Sequence, residues 1–294
     1  MRPGAPSATI PGARGRNGHR APGRRLVLPA CLIAALAAAS PSAAYNVYYA
    51  NLHAHTVLSD GIGTPAEAYA HARDVAGIHI LALTEHTHML TVSEFNELTA
   101  AAWQFSQPGV FVALAAQEYG ILTDFGHINI FDAPSRNPQP TDNLPATYHW
   151  MNVNGAFGAF NHPNPDYGTN FENLAFHPEY VDAMRMIEVR NGLATRGYEE
   201  QYIQALDNGW RIGPTANQDN HEGHWGDQRN PYMSGRIYLT GVLADSLTTE
   251  EVLGAFRARR FFAMEVDPPS DRIELDFRID GSPMGSEIVV GPNP

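Results

Sequence analysis

Lysine is absent from this 294-residue chain: all 19 of its basic residues are arginine, against 31 acidic residues. Six of the arginines (Arg2, Arg14, Arg16, Arg20, Arg24, Arg25) fall within the first 44 residues, which contain no acid. The remainder therefore carries 19 − 6 = 13 arginines and 31 acids, a formal charge of −18. An acidic chain without basic clusters lacks the electrostatic footprint of a nucleic-acid binder. Cysteine is nearly absent as well. Cys31 is the only one and lies in the same leading stretch, so beyond it no disulfide can form. Any metal site there must use nitrogen and oxygen donors. Long hydrophobic runs are missing too: the apolar stretch Leu26–Ala39 is about 14 residues, where a bilayer-spanning helix needs about 20.

A basic start, a short apolar run and the small residues Ser42 and Ala44 predict a secretory signal peptide over 1–44, cleaved after Ala44. The protein is then expected to be exported, periplasmic or secreted, with no membrane anchor left after cleavage. Arg24-Arg25 reads as part of the basic region rather than a twin-arginine signal. Cys31 comes too early in the apolar run to be a lipoprotein cleavage site. The sequence after the leader suits one large α/β domain.

Short apolar runs alternate with helical patterns along that domain. Strands are predicted over 47–55, 79–86, 110–120, 127–131, 155–163, 183–192, 211–221, 235–242 and 259–266. Thr64-Pro65-Ala66-Glu67 is a capping box with proline at the first helical position, and Gly77 closes that helix. Further helices are expected with Ser93 as cap and running to about Ser106, from about Gly197 to Asp207, and after a cap at Thr248, with 132–147 a proline-rich loop. Such alternation predicts a parallel sheet with helices outside it, open or closed into a barrel, over 45–266. The tail 267–294 alternates Ile273, Leu275, Phe277 and Ile279 before Asp280-Gly281, a β-hairpin pattern that either packs on the domain or begins a further β-domain.

Most of the predicted strands end in residues of metal-ligand type: His53-x-His55, Glu85-His86, Glu118, His162 and Asp219-x-His221, with His127 at the head of its strand. Residues i and i+2 of a strand share a face, so each H-x-H or D-x-H pair aims two donors at one point. Parallel strands carry their carboxyl ends to one mouth, where such folds keep their chemistry. One H-x-H arises by chance; a ligand type at five or six strand ends describes a site. His88 is expected at the rim beyond His86, and Glu188 at a strand end as a wall or supporting residue. His71 and His79 fit no part of this pattern.

This ordered series resembles the PHP (polymerase and histidinol phosphatase) family, whose motifs are H-x-H, T-D-H, a lone Glu, G-H, N-H-P and a final D-x-H. The segments "NLHAHTVLSDGIGTPAEAYAHARDVAGIHILALTEH" and "GWRIGPTANQDNHEGHWG" look most like its carbaryl-hydrolase-type branch of secreted metallohydrolases. The resemblance covers roughly Tyr45 to Val266. It implies a distorted seven-stranded (β/α) TIM-like barrel binding two or three divalent ions (zinc, manganese or iron). It also implies roles: His53, His55, Glu118 and Asp219 for one ion; Asp60, His86 and His221 for a second; and Glu118 bridging to a third held by His127 and His162. The chain departs from the family in Thr84-Glu85-His86, with Glu85 where the family has Asp.

Ions bridged in such a shell acidify a shared water, giving a nucleophile at neutral pH. The reading is a metal-dependent hydrolase acting on a small-molecule phosphate mono- or diester outside the cytoplasm. The alternative is a carbamate, ester or amide hydrolase, for which Tyr119, Phe125, Trp150, Phe160, Tyr167, Phe171 and Trp225 are candidate pocket aromatics. A non-catalytic module braced by its metals is less consistent with so large a ligand set. Arg190, His224 and Arg236 are the candidate substrate contacts.

Overall fold

The structure, a computed structural model, describes residues 45–289 and 291, apart from 141, 234 and 268–270. The predicted signal peptide, 1–44, lies outside the described residues. Nine strands form one sheet: β1 (Asn46–Asn51), β2 (Ile80–His86), β3 (Val112–Ile121), β4 (Gly126–Phe131), β5 (Phe157–Phe160), β6 (Met184–Asn191), β7 (Gly213–Asn217), β8 (Ile237–Ala244) and β9 (Phe261–Val266). Their order is β7-β6-β5-β4-β3-β2-β1-β8-β9.

The first seven strands curl until their ends meet. Just past β1, Ala54 makes a parallel bridge with Asn220, and His55 N donates to Asn220 O at 2.8 Å. Along β1 itself the neighbour is β8, paired antiparallel. Thr240 of β8 in turn bonds Ala216 N at 3.1 Å and Ala216 O at 3.0 Å on β7. The result is a distorted seven-stranded barrel, closed at one mouth and with β8 set between β1 and β7 below it. This is the fold class expected from the motif series.

The sheet is mixed rather than parallel. β4 is antiparallel to both β3 and β5, and β8 is antiparallel to β1 and β9. The short link over 122–125 allows only a hairpin, since a parallel crossover needs about a dozen residues. One consequence matters for the site: the head of β4 opens on the same mouth as the tails of the parallel strands.

Local sequence explains most helix boundaries. Thr64 caps α1 (Pro65–Asp74) through the expected box with Glu67. α2 (Val92–Phe105) is capped two residues before Ser93: Thr91 accepts from Glu94 N while the Glu94 side chain takes Thr91 N, leaving Ser93 inside the first turn. α3 (Leu144–Asn154) grows out of the segment expected to be a loop. Asn143 accepts from Ala146 N, Pro145 sits in the first turn where no donor is needed, and Gly155 ends the helix at φ 69°. α4 (Asn170–Leu174) is a left-handed turn, α5 (Glu199–Asn208) stops at Gly209, and α6 (Thr249–Arg257) is capped by Thr248 as expected.

α6 packs against the apolar face of the barrel strands. Val252 and Phe256 are fully buried in one cluster with Ile80, Ala82, Val112, Leu114, Ala116, Phe131, Phe157 and Met186. Following the same face along β2 and β3 at period two leads from Ile80 to His86 and from Val112 to Glu118. The barrel thus has an apolar floor and a polar mouth. The opposite faces of β2 (Leu81, Leu83) pack with Tyr69 of α1 and Leu98 of α2. Among the described residues of the tail, only β10 (Arg278–Ile279) and β11 (Ser282–Pro283) pair, turning at Asp280-Gly281 as predicted; Ile273, Leu275 and Phe277 form no ladder and stay exposed.

Candidate metal centre

Register places the first three donors. His86 of β2 stands beside Glu118 of β3 in the parallel ladder, and His127 at the head of β4 faces Gly120, two residues beyond Glu118. His53 and His55 arrive on the extension of β1, and Asp219 and His221 on the extension of β7 that bridges to it. Asp219 and His162 both take a left-handed backbone, φ 51° and 28°, which non-glycine residues adopt at a cost. His162 precedes Pro163, so its backbone is restricted further.

Glu118 is the centre of the cluster. Its Oε1 lies 3.1 Å from His53 Nε2, 3.1 Å from His127 Nδ1 and 3.2 Å from His162 Nε2. Its Oε2 lies 3.4 Å from His55 Nε2 and 3.1 Å from His86 Nδ1. Asp219 Oδ1 stands 3.3 Å from both His53 Nε2 and His55 Nε2. Asp60, on the loop after His55, lies 3.2 Å from His221 Nε2, 3.5 Å from His86 Nε2 and 4.0 Å from His55 Nδ1. All nine residues singled out as ligands in the sequence therefore meet at one mouth. Eight of them fall into three overlapping groups of ligand atoms, His53–His55–Glu118–Asp219, His55–Asp60–His86–His221 and His86–Glu118–His127, and the ninth, His162, joins through Glu118 Oε1.

Residues that the motifs did not single out as ligands hold these in place. Glu188, fully buried on β6, accepts from His53 Nδ1 at 2.8 Å, His162 N at 2.9 Å, Asn191 Nδ2 at 3.0 Å and Asn217 Nδ2 at 3.1 Å. With Nδ1 so bound, the His53 Nε2 is turned to Glu118 and Asp219. His221 is oriented similarly, its Nδ1 on the Asp219 carbonyl at 2.9 Å. Asn161 donates to Glu118 Oε1 at 2.7 Å, and Asn191 to Asp219 Oδ2 at 3.1 Å. Glu85 is buried and takes Thr56 Oγ1 at 2.6 Å, Thr56 N at 3.2 Å and Ser59 Oγ at 2.5 Å, tethering the loop that carries Asp60. Asparagines and lone glutamates carry no spacing signal, and their buried position emerges only from the fold. Glu85 and Glu188 are the exceptions, both marked at strand ends.

The electrostatics call for a cation. Burial pushes Glu118 upward, but the His127 and His53 imidazoles hold it well below the usual carboxylate range. Burial likewise raises Asp219, and the His53 and His55 imidazoles beside it bring it well below the usual carboxylate range. Burial pushes His53 down, while Asp219, Glu118 and Glu188 carry it well above the ordinary histidine value. His86 behaves oppositely: burial, opposed by Glu118 and assisted by His55 and His127, takes it down to about 4. The ion pairs of Glu118, Asp219 and Glu188 run to imidazoles, not to arginines. Moreover His53 Nε2, His55 Nε2, His86 Nδ1 and His127 Nδ1 are buried without a properly directed hydrogen bond. Several imidazole lone pairs aimed at shared carboxylates, with no permanent cation among them, fit divalent metal ions.

The remaining candidates lie differently. Arg190 pairs with Glu199 and stands 3.7 Å from Glu265, and Arg236 stands 3.5 Å from Glu265. His224 groups with His71 and Asp227. His88 is exposed, its ring 5.3 Å from that of His86. Of the seven candidate pocket aromatics, Tyr119, Phe125, Trp150, Phe160, Phe171 and Trp225 are buried in core clusters; Tyr167 is half-buried, 6.1 Å edge-on to His162. A groove of about 480 Å³ between Trp210, Phe261 and the tail residue Phe277 shares no lining residue with the nine.

The same fold occurs in a solved two-domain protein from Bacteroides vulgatus that contains a predicted PHP-like metal-dependent phosphoesterase. It is 22% identical with a TM-score of 0.57, over 75% of this chain and 65% of that one. The chain thus spans about two thirds of that protein's length. Looser similarity extends to Endonuclease Q, solved with a 27-mer duplex carrying an abasic lesion (12% identity, TM-score 0.45, 72% of this chain and 57% of that one). It also extends to an amidohydrolase from Chromobacterium violaceum (14%, TM-score 0.40, 76% and 98%). No protein-family model and no curated protein matches the chain significantly.

Proposed function

We propose that the protein is a PHP-type metal-dependent hydrolase, acting outside the cytoplasm on a small phosphate mono- or diester. The observation that carries this reading is Glu118, a buried carboxylate ringed by five imidazoles at 3.1–3.4 Å. Divalent ions held there, zinc, manganese or iron, would supply Lewis acidity and a water activated near neutral pH. Glu118 would be shared between ions, one held with His53, His55 and Asp219 and another with His127 and His162, while Asp60, His86 and His221 would hold a further one. Glu188 fixes the His53 tautomer and keeps its Nε2 free to ligate.

Two observations bear on the substrate. The burial of six of the seven aromatics leaves little apolar surface for a carbamate, which the likeness to the carbaryl-hydrolase-type branch would favour. Arg136, with Nε and Nη2 on the carbonyl of Thr87, the residue after His86, is the candidate cation for a phosphoryl group. Both favour the phosphoester. The test is a hydrolysis screen of metal-loaded protein on p-nitrophenyl phosphate, bis-p-nitrophenyl phosphate and a naphthyl carbamate. Turnover of a phosphate ester alone is expected. Turnover of the carbamate alone would transfer the assignment to the alternative, and turnover of none would reject hydrolysis of these classes. Export is tested separately by mass spectrometry of the processed protein, which should begin at Tyr45.

A further inference from the structure

A second cluster of ligating side chains stands apart from the nine. His71, in the last turn of α1, places Nε2 3.1 Å from Asp227 Oδ1, and His224 Nδ1 is 4.0 Å from the same oxygen. All three ligand atoms lie within 4.8 Å of one another. Two donors on a tetrahedral ion, each at about 2 Å, stand roughly 3.3 Å apart. Small side-chain rotations therefore bring these three to ligating distance. Two imidazoles and a carboxylate are a donor set for zinc, with a fourth position left to water.

The cluster is also built into the fold. His224 and Asp227 belong to one turn, in which Asp227 N and Gln228 N both donate to His224 O, at 3.2 and 3.0 Å. Trp225, between them, is buried, and its ring stands edge-on to His71 at 5.8 Å. Its Nε1 donates to the His55 carbonyl at 3.0 Å. An ion shared by α1 and this turn would therefore bear on the backbone of His55 and on the segment just after His221.

We propose that His71, His224 and Asp227 form a separate zinc site that pins the 224–227 turn to α1 and holds Trp225 on His55. The site stands independently of the proposed hydrolase activity.

The experiment is zinc analysis of the full chain after saturation and gel filtration in zinc-free buffer, for wild type, His224→Ala, Asp227→Asn and Glu118→Ala. Wild type is expected to retain one zinc per chain more than His224→Ala or Asp227→Asn, and Glu118→Ala to keep that ion. His224 is 65% exposed in its side chain, so its truncation should leave the fold and circular dichroism unchanged. Titrating this ion should also perturb tryptophan fluorescence in wild type and not in His224→Ala. Equal retained zinc in wild type and both turn variants would overturn the site. So would an ion that wild type itself sheds on the column.

Discussion

Glu118 and Glu188 are both buried carboxylates, yet they ask different questions of the site. Glu118 faces only ring nitrogens and one amide, so Glu118→Ala removes the group proposed to be shared between ions. It should abolish binding of at least one ion and nearly all activity; full metal content and rate would exclude a bridging role. Glu188 touches no proposed ion. It supports His53, His162, Asn191 and Asn217. Glu188→Ala should therefore weaken metal binding by about 10–100-fold without abolishing it, the usual effect of losing a group that orients a ligand. Competition with a chelator of known affinity measures it, and an unchanged affinity would deny Glu188 that role. Gly61 acts through space alone: a Cβ there would lie 2.6 Å from His55 C and 2.7 Å from His55 O. Gly61→Ala must push the Asp60 loop away from His55. It should cost the ion assigned to Asp60, His86 and His221 while sparing the one at His53 and Glu118. Retention of all ions would show that the loop accommodates the methyl.

Elements decide which of these residues can meet. The convergence at the mouth was legible because strand periodicity turns H-x-H and D-x-H into paired donors, and because His53, His86, Glu118, His162 and Asp219 fall near the ends of their strands. His127 carried a further clue, standing at the head of its strand, which fits the mouth only if β4 runs antiparallel. That reversal followed from the short link over 122–125, but the alternation of strands and helices masked it. The start of α2 was misplaced for a related reason: Ser93 is a good cap in isolation, while the reciprocal pair Thr91–Glu94 satisfies two backbone donors at once. Thr91→Ala should therefore cost about 1 kcal/mol, lowering Tm by about 2–4 °C. Ser93→Ala should stay within about 0.5 kcal/mol. Thermal unfolding of the two variants decides the boundary, and the opposite ranking would restore Ser93 as cap. α3 was hidden because prolines dominate the segment before it. Its own start, Asn143-Leu144-Pro145, follows the ordinary cap pattern.

At the scale of the whole molecule, the cluster ties stability to both pH and metal. Without metal, the raised His53 contributes stability fully below its unfolded pKa near 6.5 and loses it as pH rises through the folded value. The lowered Glu118 and Asp219 contribute above their unfolded values, near 4.5 and 3.8, and lose it as pH falls through the folded ones. The contributions of this cluster therefore coexist between about pH 4.5 and 6.5. His86, taken down to about 4, is neutral in the folded protein while the unfolded histidine is protonated below about 6.5, so it costs stability in that window and the cost fades as pH rises towards 6.5. Metal changes the balance, because a ligating imidazole must be unprotonated and each ion bound to His53 or His55, also raised against burial by Asp219 and Glu118, displaces protons. Apparent metal affinity should then rise with pH, and the stabilisation it brings should rise with it. The gap in Tm between metal-loaded and chelator-treated protein should accordingly widen from pH 5.5 to 8.5. In Glu118→Ala that widening should shrink, since the carboxylate that both charges the imidazoles and shares the ions is gone. A gap that stays constant with pH in wild type would show that metal binding displaces no protons from these histidines.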